Sequence, residues 1–186
     1  MATRPVDLGG ALVADLPRGR IENRDQQRLV AVPAEWLEQL VGHARAAADT
    51  VGAALGESLE AEARAVLDPA SDLSPEDVAY ALSVALASRG LGTVEFEQWG
   101  EALTLVWRDP PGSGDALADM FAAMAARLVG GVSGVEVAGA AVGRDGTSIR
   151  VLLAASEACD LARERMRHGD SFGEIVARLE RRGDRS

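Results

Sequence analysis

The sequence contains no lysine, one cysteine, two histidines and few aromatic residues. Every one of the 19 basic residues is therefore arginine, set against 29 acidic residues for a formal charge of −10. A field of that sign repels a phosphate backbone, so no nucleic-acid partner is expected. The arginines at 163, 165, 167, 178, 181, 182 and 185 crowd the C-terminus, where a basic patch could form. They read as a solvated helix face balanced by Glu164, Glu174 and Glu180. A single cysteine excludes an intrachain disulfide and any multi-cysteine zinc site. No apolar run is expected to span a membrane, and the N-terminus shows no apolar core of a secretion signal. A bacterial, cytoplasmic setting follows as the expectation. Aromatics are 4% of the chain but hydrophobic residues 47%, so the core must be built mainly from small and aliphatic side chains.

What is present is a central block of alternating and helical patterns over residues 93–153. Val94, Phe96, Leu103, Leu105 and Trp107 alternate with more polar neighbours, the period of half-buried strands. This predicts a hairpin of Thr93 to Trp99 and Ala102 to Arg108, turning at Gly100–Glu101. Pro110 to Gly114 stop that sheet. Leu117, Met120, Phe121, Met124 and Leu128 then recur at helical spacing. A second hairpin is predicted from Gly134 to Val142 and Ser148 to Leu153, across Arg144–Asp145–Gly146. The block reads β-β-α-β-β, with one four-stranded antiparallel sheet and a helix packed on it.

At 186 residues the chain fits one domain with extensions. Residues 1–28 are polar and broken by Pro5, Gly9, Gly10, Pro17 and Gly19, predicting an extended arm. From Pro33, apolar positions at Trp36, Leu37, Leu40, Val41, Ala44, Ala48, Val51, Leu55 and Leu59 predict one long helix to about Leu67. Gly42, Gly52 and Gly56 would each weaken it by about 1 kcal/mol unless another backbone packs there. A break at 68–72 precedes Ser74–Pro75–Glu76–Asp77, a strong helix start. Val78, Leu82, Ala85 and Leu86 give that second helix its buried face, and Gly90 ends it. The fold class is thus α+β: two N-terminal helices, the β-β-α-β-β unit, then C-terminal helices. The predicted organisation is an arm at 1–28, a domain at 29–155 and a helical extension at 156–186. Gly169 divides that extension, and Asp170 or Ser171 caps a last helix carrying Phe172, Ile175, Val176 and Leu179.

This order resembles the 4-vinyl-reductase-type, hydrocarbon-binding domain family, whose fold is shared with subunits of the TRAPP trafficking complex. The resemblance runs from about Gly19 to Leu153. It rests on Gly19-Arg20-Ile21-Glu22-Asn23, on the run from Arg28 to Leu37, and on the run from Leu91 to Trp99. It implies a small-molecule sensor or carrier module, often dimeric. Members often carry zinc-binding cysteines near the start of the middle helix and in the second hairpin. The corresponding residues, 115–119, 135–140 and 147–150, contain none, so neither zinc nor reductase activity is carried over.

The candidate chemistry is sparse. Cys159 would lie in the first turn of a helix capped by Ser156, where the dipole favours a thiolate, but Glu157 and Asp160 oppose it. His43 falls on the first helix, and His168 at a helix C-terminus suits the dipole there. Glu57, Glu60 and Glu62 share a helix without the Glu-x-x-His companion a di-metal site needs. The glycines from 130 to 146 lack the lysine and spacing of a phosphate loop. Trp36, Trp99 and Trp107 read as core or dimer-interface anchors, with contact to a ligand as the alternative. An enzyme would need a titratable cluster that the sequence does not show.

The resulting expectation is a non-enzymatic module that binds or senses a small apolar ligand, without cofactor or metal. Trp36, Leu40, Leu82, Leu86, Phe121 and Met124 are its candidate ligand-lining residues, between the N-terminal helices and the middle helix. The alternative is a dimeric scaffold that presents residues 156–186 to a protein partner. A homodimer is expected in either case.

Overall fold

A computed structural model describes strands β1 (Leu12–Asp15), β2 (Arg20–Asn23) and β3 (Arg28–Leu29), then residues 32–67, 74–99 and 102–183. The three short strands form an antiparallel meander in the order β1-β2-β3 within and just beyond the expected polar arm. The breaks expected at Gly100–Glu101 and at 68–72 lie outside the described residues.

The stripe that predicted one long N-terminal helix is divided in two. Helix α1 (Ala34–His43) follows Pro33, whose carbonyl accepts from the amides of Trp36 and Leu37. At Ala44 the backbone leaves helical geometry (φ −101°, ψ 31°), and a single 3-10 turn, Arg45–Ala47, leads into α2 (Ala48–Val66). The apolar period is similar on both sides of the break and so conceals it. Contacts made elsewhere in the chain accompany the change of direction. Glu38 accepts from the Ser113 amide at 3.2 Å, and Arg45 lies 3.6 Å from Asp119.

Helix α3 (Pro75–Ala87) begins as its sequence demands. Ser74 and Asp77 form a capping box, with Pro75 in the first turn. Strands β4 (Thr93–Trp99) and β5 (Ala102–Arg108) match the predicted first hairpin. Helix α4 (Asp115–Ser133) runs one turn further than its apolar pattern indicated, to a left-handed cap at Gly134 (φ 73°). The second hairpin, β6 (Ala138–Asp145) and β7 (Ser148–Ala154), therefore starts later than predicted. By length and composition alone α4 could cross a membrane, contrary to the expectation that no run would. Here its apolar faces are buried against α2 and the sheet.

The sheet is antiparallel throughout in the order β4-β5-β7-β6. Its register pairs Val94 with Trp107, Phe96 with Leu105, Leu105 with Val151 and Trp107 with Ile149. Strand alternation therefore puts Val94, Phe96, Leu105, Trp107, Ile149 and Val151 on one face. These residues join α2, α3 and α4 in the main core.

The opposite face is covered at its β6–β7 end by α5 (Ser156–Arg167) and α6 (Phe172–Gly183). Ala140, Val142 and Leu152 from the strands meet Cys159, Ala162 and Ile175 there in a second core. A register shift between Ala141 and Gly143 accommodates this face. Ser171 caps α6 reciprocally with Glu174. The apolar face of the C-terminal extension is thus turned onto the sheet of its own chain.

Candidate functional site

Helix α4 is clamped on two sides by glycine. A Cβ added at Gly52 of α2 would overlap the Met120 carbonyl oxygen, and one at Gly56 would lie 2.6 Å from the Met124 carbonyl oxygen. A Cβ at Gly139 of β6 would overlap the Ala122 carbonyl oxygen. The cost of glycine in a helix is therefore offset by backbone-to-backbone approach, and neither interface has room for a guest.

Helix α3 stands differently. It lies along β4 and α2 and meets α4 mainly through side chains. The interior between α3 and α4, which we call the wedge, is filled by buried side chains above the sheet face that carries Val94, Leu105 and Trp107. Phe121 of α4 stacks on Trp107 of β5 with ring centroids 3.6 Å apart and planes within 9°. Leu82, Leu86, Phe121 and Met124, four of the six candidate ligand-lining residues, each have 1% exposure in this core. The structure does not bring the other two to them. Trp36 and Leu40 lie one turn apart on the outer face of α1, 67% and 69% exposed.

The polar groups bordering the wedge are occupied. β4 is an edge strand, and Ser83 of α3 pairs with it at Val94. The Ser83 hydroxyl accepts from the Val94 amide and donates to its carbonyl, both at 2.9 Å. Trp107 Nε1 donates to the Leu91 carbonyl. Among the described residues, the buried side-chain nitrogen and oxygen atoms without a hydrogen-bond partner are Arg165 Nε and Asp170 Oδ2, both in the C-terminal helical pair. The wedge therefore carries no unpaired buried side-chain donor or acceptor among the described residues. Sequence reasoning missed Ser83, since a serine inside an apolar helix face carries no mark of the strand edge it meets.

The titratable residues singled out by sequence lie apart from this interior. Glu60 is engaged by Arg64 and Arg127, both at 2.9 Å, and hydrogen bonding from Arg64 foremost holds its carboxyl below the usual range. Glu62 is engaged by Arg89 at 2.7 Å, and Glu57 lies 3.8 Å from Arg127. Among the described residues, no three of His, Cys, Asp and Glu are grouped to hold a metal. Cys159 is fully buried in the second core and burial pushes its thiol up, overriding the expected dipole effect. Ser156 is the first residue of α5 rather than its cap, a position taken by Ala155. His43 Nδ1 is 2.7 Å from the Gln39 carbonyl oxygen, and exposed His168 is the C-cap of α5.

No family model and no curated protein matches the chain. The resemblance to the 4-vinyl-reductase-type family therefore has no support from a family match. Among solved structures, the chain is similar to the phenol-responsive sensory domain of the transcription activator PoxR, in a structure with phenol. The TM-score is 0.57 at 13% identity, covering 86% of this chain and 92% of that one. At that identity the likeness is one of fold.

Proposed function

We propose that this chain is a non-enzymatic sensory module that binds a small, uncharged apolar molecule in the wedge between α3 and α4. The observation that carries the reading is the fold likeness along nearly the whole length of a phenol-responsive sensory domain. The apolar interior supports it, because the bordering polar groups satisfy one another and leave packing as the means of recognition. Leu82, Leu86, Phe121 and Met124 would line the ligand. The setting carried forward from the sequence is the bacterial cytoplasm.

Native mass spectrometry of freshly purified protein, followed by thermal shift with small uncharged aromatics and alkanes, tests this. A retained apolar mass or a ligand-dependent rise in Tm is expected. A clean apo mass with no shift across the panel would sink the reading.

A second feature favours self-association. Val32, just before α1, and Trp36 and Leu40 on it are exposed apolar residues, at 53%, 67% and 69% exposure. We propose that a second copy covers them, giving the homodimer expected from sequence. The alternative scaffold reading, with residues 156–186 as a partner surface, has less support, because Ile175 and Val176 of α6 are already covered.

A further inference from the structure

Helix α3 is fastened to its neighbours at one end. Ser83 makes both hydrogen bonds to Val94 at 2.9 Å. Just beyond the helix, Arg89 reaches Glu62 of α2 at 2.7 Å, and the Ser88 hydroxyl donates to the same carboxylate at 3.1 Å. All of these contacts lie at or beyond Ser83. Among the described residues, no hydrogen bond or ion pair ties the preceding half, 75–82, to another element. The Ser74–Asp77 box is internal to the helix start. That half is held by the apolar packing of Val78, Ala81 and Leu82.

The other walls of the wedge cannot open so readily. Helix α4 is locked to α2 through Gly52 and Gly56, and to β6 through Gly139. Strand β5 is hydrogen-bonded on both edges, to β4 and β7. Backbone contacts of that closeness leave nothing to rearrange, whereas an interface of leucine and methionine side chains can repack around a guest.

We propose that the first half of α3, residues 75–82, is the gate of the wedge. It swings about the fastening at Ser83–Arg89 to admit an apolar ligand beside Leu82 and Phe121. This rests on the ligand-binding reading above. In opening, this half loses its apolar contact surface and its helical hydrogen bonds open with it, while the Arg89 and Ser88 contacts to Glu62 stay intact. Opening is a sub-global event of lower free energy than unfolding.

Hydrogen exchange of the full chain by mass spectrometry tests the gate, first without ligand and then with toluene as the probe. Without toluene, the amides of 79–82 should exchange at least about tenfold faster than those of α4, the mark of independent opening. Toluene should slow exchange at 79–82 specifically. Ser83→Ala, which removes the fastening to Val94, should raise exchange at 79–82 further. Exchange at 79–82 that matches α4 in the free protein overturns the gate. So does toluene that raises Tm while leaving 79–82 unchanged, and the ligand reading then stands without it. Fast exchange at 79–82 with no effect of toluene or of the wider ligand panel refutes ligand binding and the gate with it, leaving an opening segment that admits no ligand.

Discussion

Phe121 lies flat on Trp107, 3.6 Å between ring centroids, and this contact joins the middle helix to the centre of the sheet. Both side chains are fully buried, at 1% and 0% exposure. Phe121→Ala should cost about 3–5 kcal/mol of stability, through lost transfer energy and the cavity left behind. Phe121→Leu should cost markedly less. Urea unfolding of the two variants beside the parent checks this, and equal losses would mean that ring volume at this contact is unimportant.

Glycines on the first two helices should behave oppositely. Gly52→Ala must displace α4 and should destabilise by about 1–3 kcal/mol despite the better helix propensity of alanine. A Cβ at Gly42 meets nothing within 4 Å, so Gly42→Ala should be neutral or stabilise by up to about 1 kcal/mol. Thermal melts of both variants decide it. A stable Gly52→Ala protein would contradict the clamp.

The C-terminal extension should be required for stability. Removing residues 157–186 uncovers Leu152, Val142 and Ala140, which have 1%, 0% and 0% exposure in the full chain. The truncated chain should lose much of its cooperative transition or aggregate. Ile175→Ala, a milder change, should cost about 2–5 kcal/mol. A truncated chain that melts cooperatively near the parent temperature would overturn this requirement.

Glu97 gives the outer sheet face an acid-sensitive fastening. Burial pushes its carboxyl up, but hydrogen bonds from Trp99 and Arg150, with Arg150 Nε at 3.1 Å, outweigh this and hold it below the ordinary 4.5. A carboxyl lowered on folding contributes stability above its unfolded value. That contribution is lost as pH falls below 4.5 through the folded value. Glu97→Gln should therefore flatten the acid limb of a Tm-against-pH profile. Parallel profiles for parent and variant would show that the carboxylate has no such role.

If a second copy covers these exposed residues of α1, Trp36→Ser with Leu40→Ser should shift sedimentation towards monomer. The monomer's own stability should change by roughly 0.5 kcal/mol or less, as for exposed positions away from special features. A parent that sediments as a monomer at tens of micromolar removes them as an interface.

Elements that announce themselves locally were legible in the sequence. The β4–β5 hairpin was readable because period-2 alternation fixes which side chains share a face. The start of α3 was readable because Ser74, Pro75 and Asp77 act on their own helix turn. The burial of Leu82, Leu86, Phe121 and Met124 was legible as apolar periodicity on α3 and α4. Trp36 and Leu40 carried the same periodicity yet lie outside, because a helical stripe states that a face is apolar without naming what covers it. Ser83 and the break at Ala44 were not legible, since each involves residues distant in sequence.

The sequence by itself determined the α+β class, the two hairpins, the middle helix and the helix start at Ser74. These depend on hydrophobic period and turn chemistry, which act over a few residues. Tertiary structure decided that α2 and α4 meet through Gly52 and Gly56 and that Phe121 finds Trp107. It also decided that Ile175 turns back onto Val142 and Leu152 in the second core. Apolar burial drives all three but has no direction, so it favours contact without choosing the partner. The choice is made by shape: glycine where backbones must approach, a flat ring where a flat ring can lie, and a sheet whose second face still needs a cover.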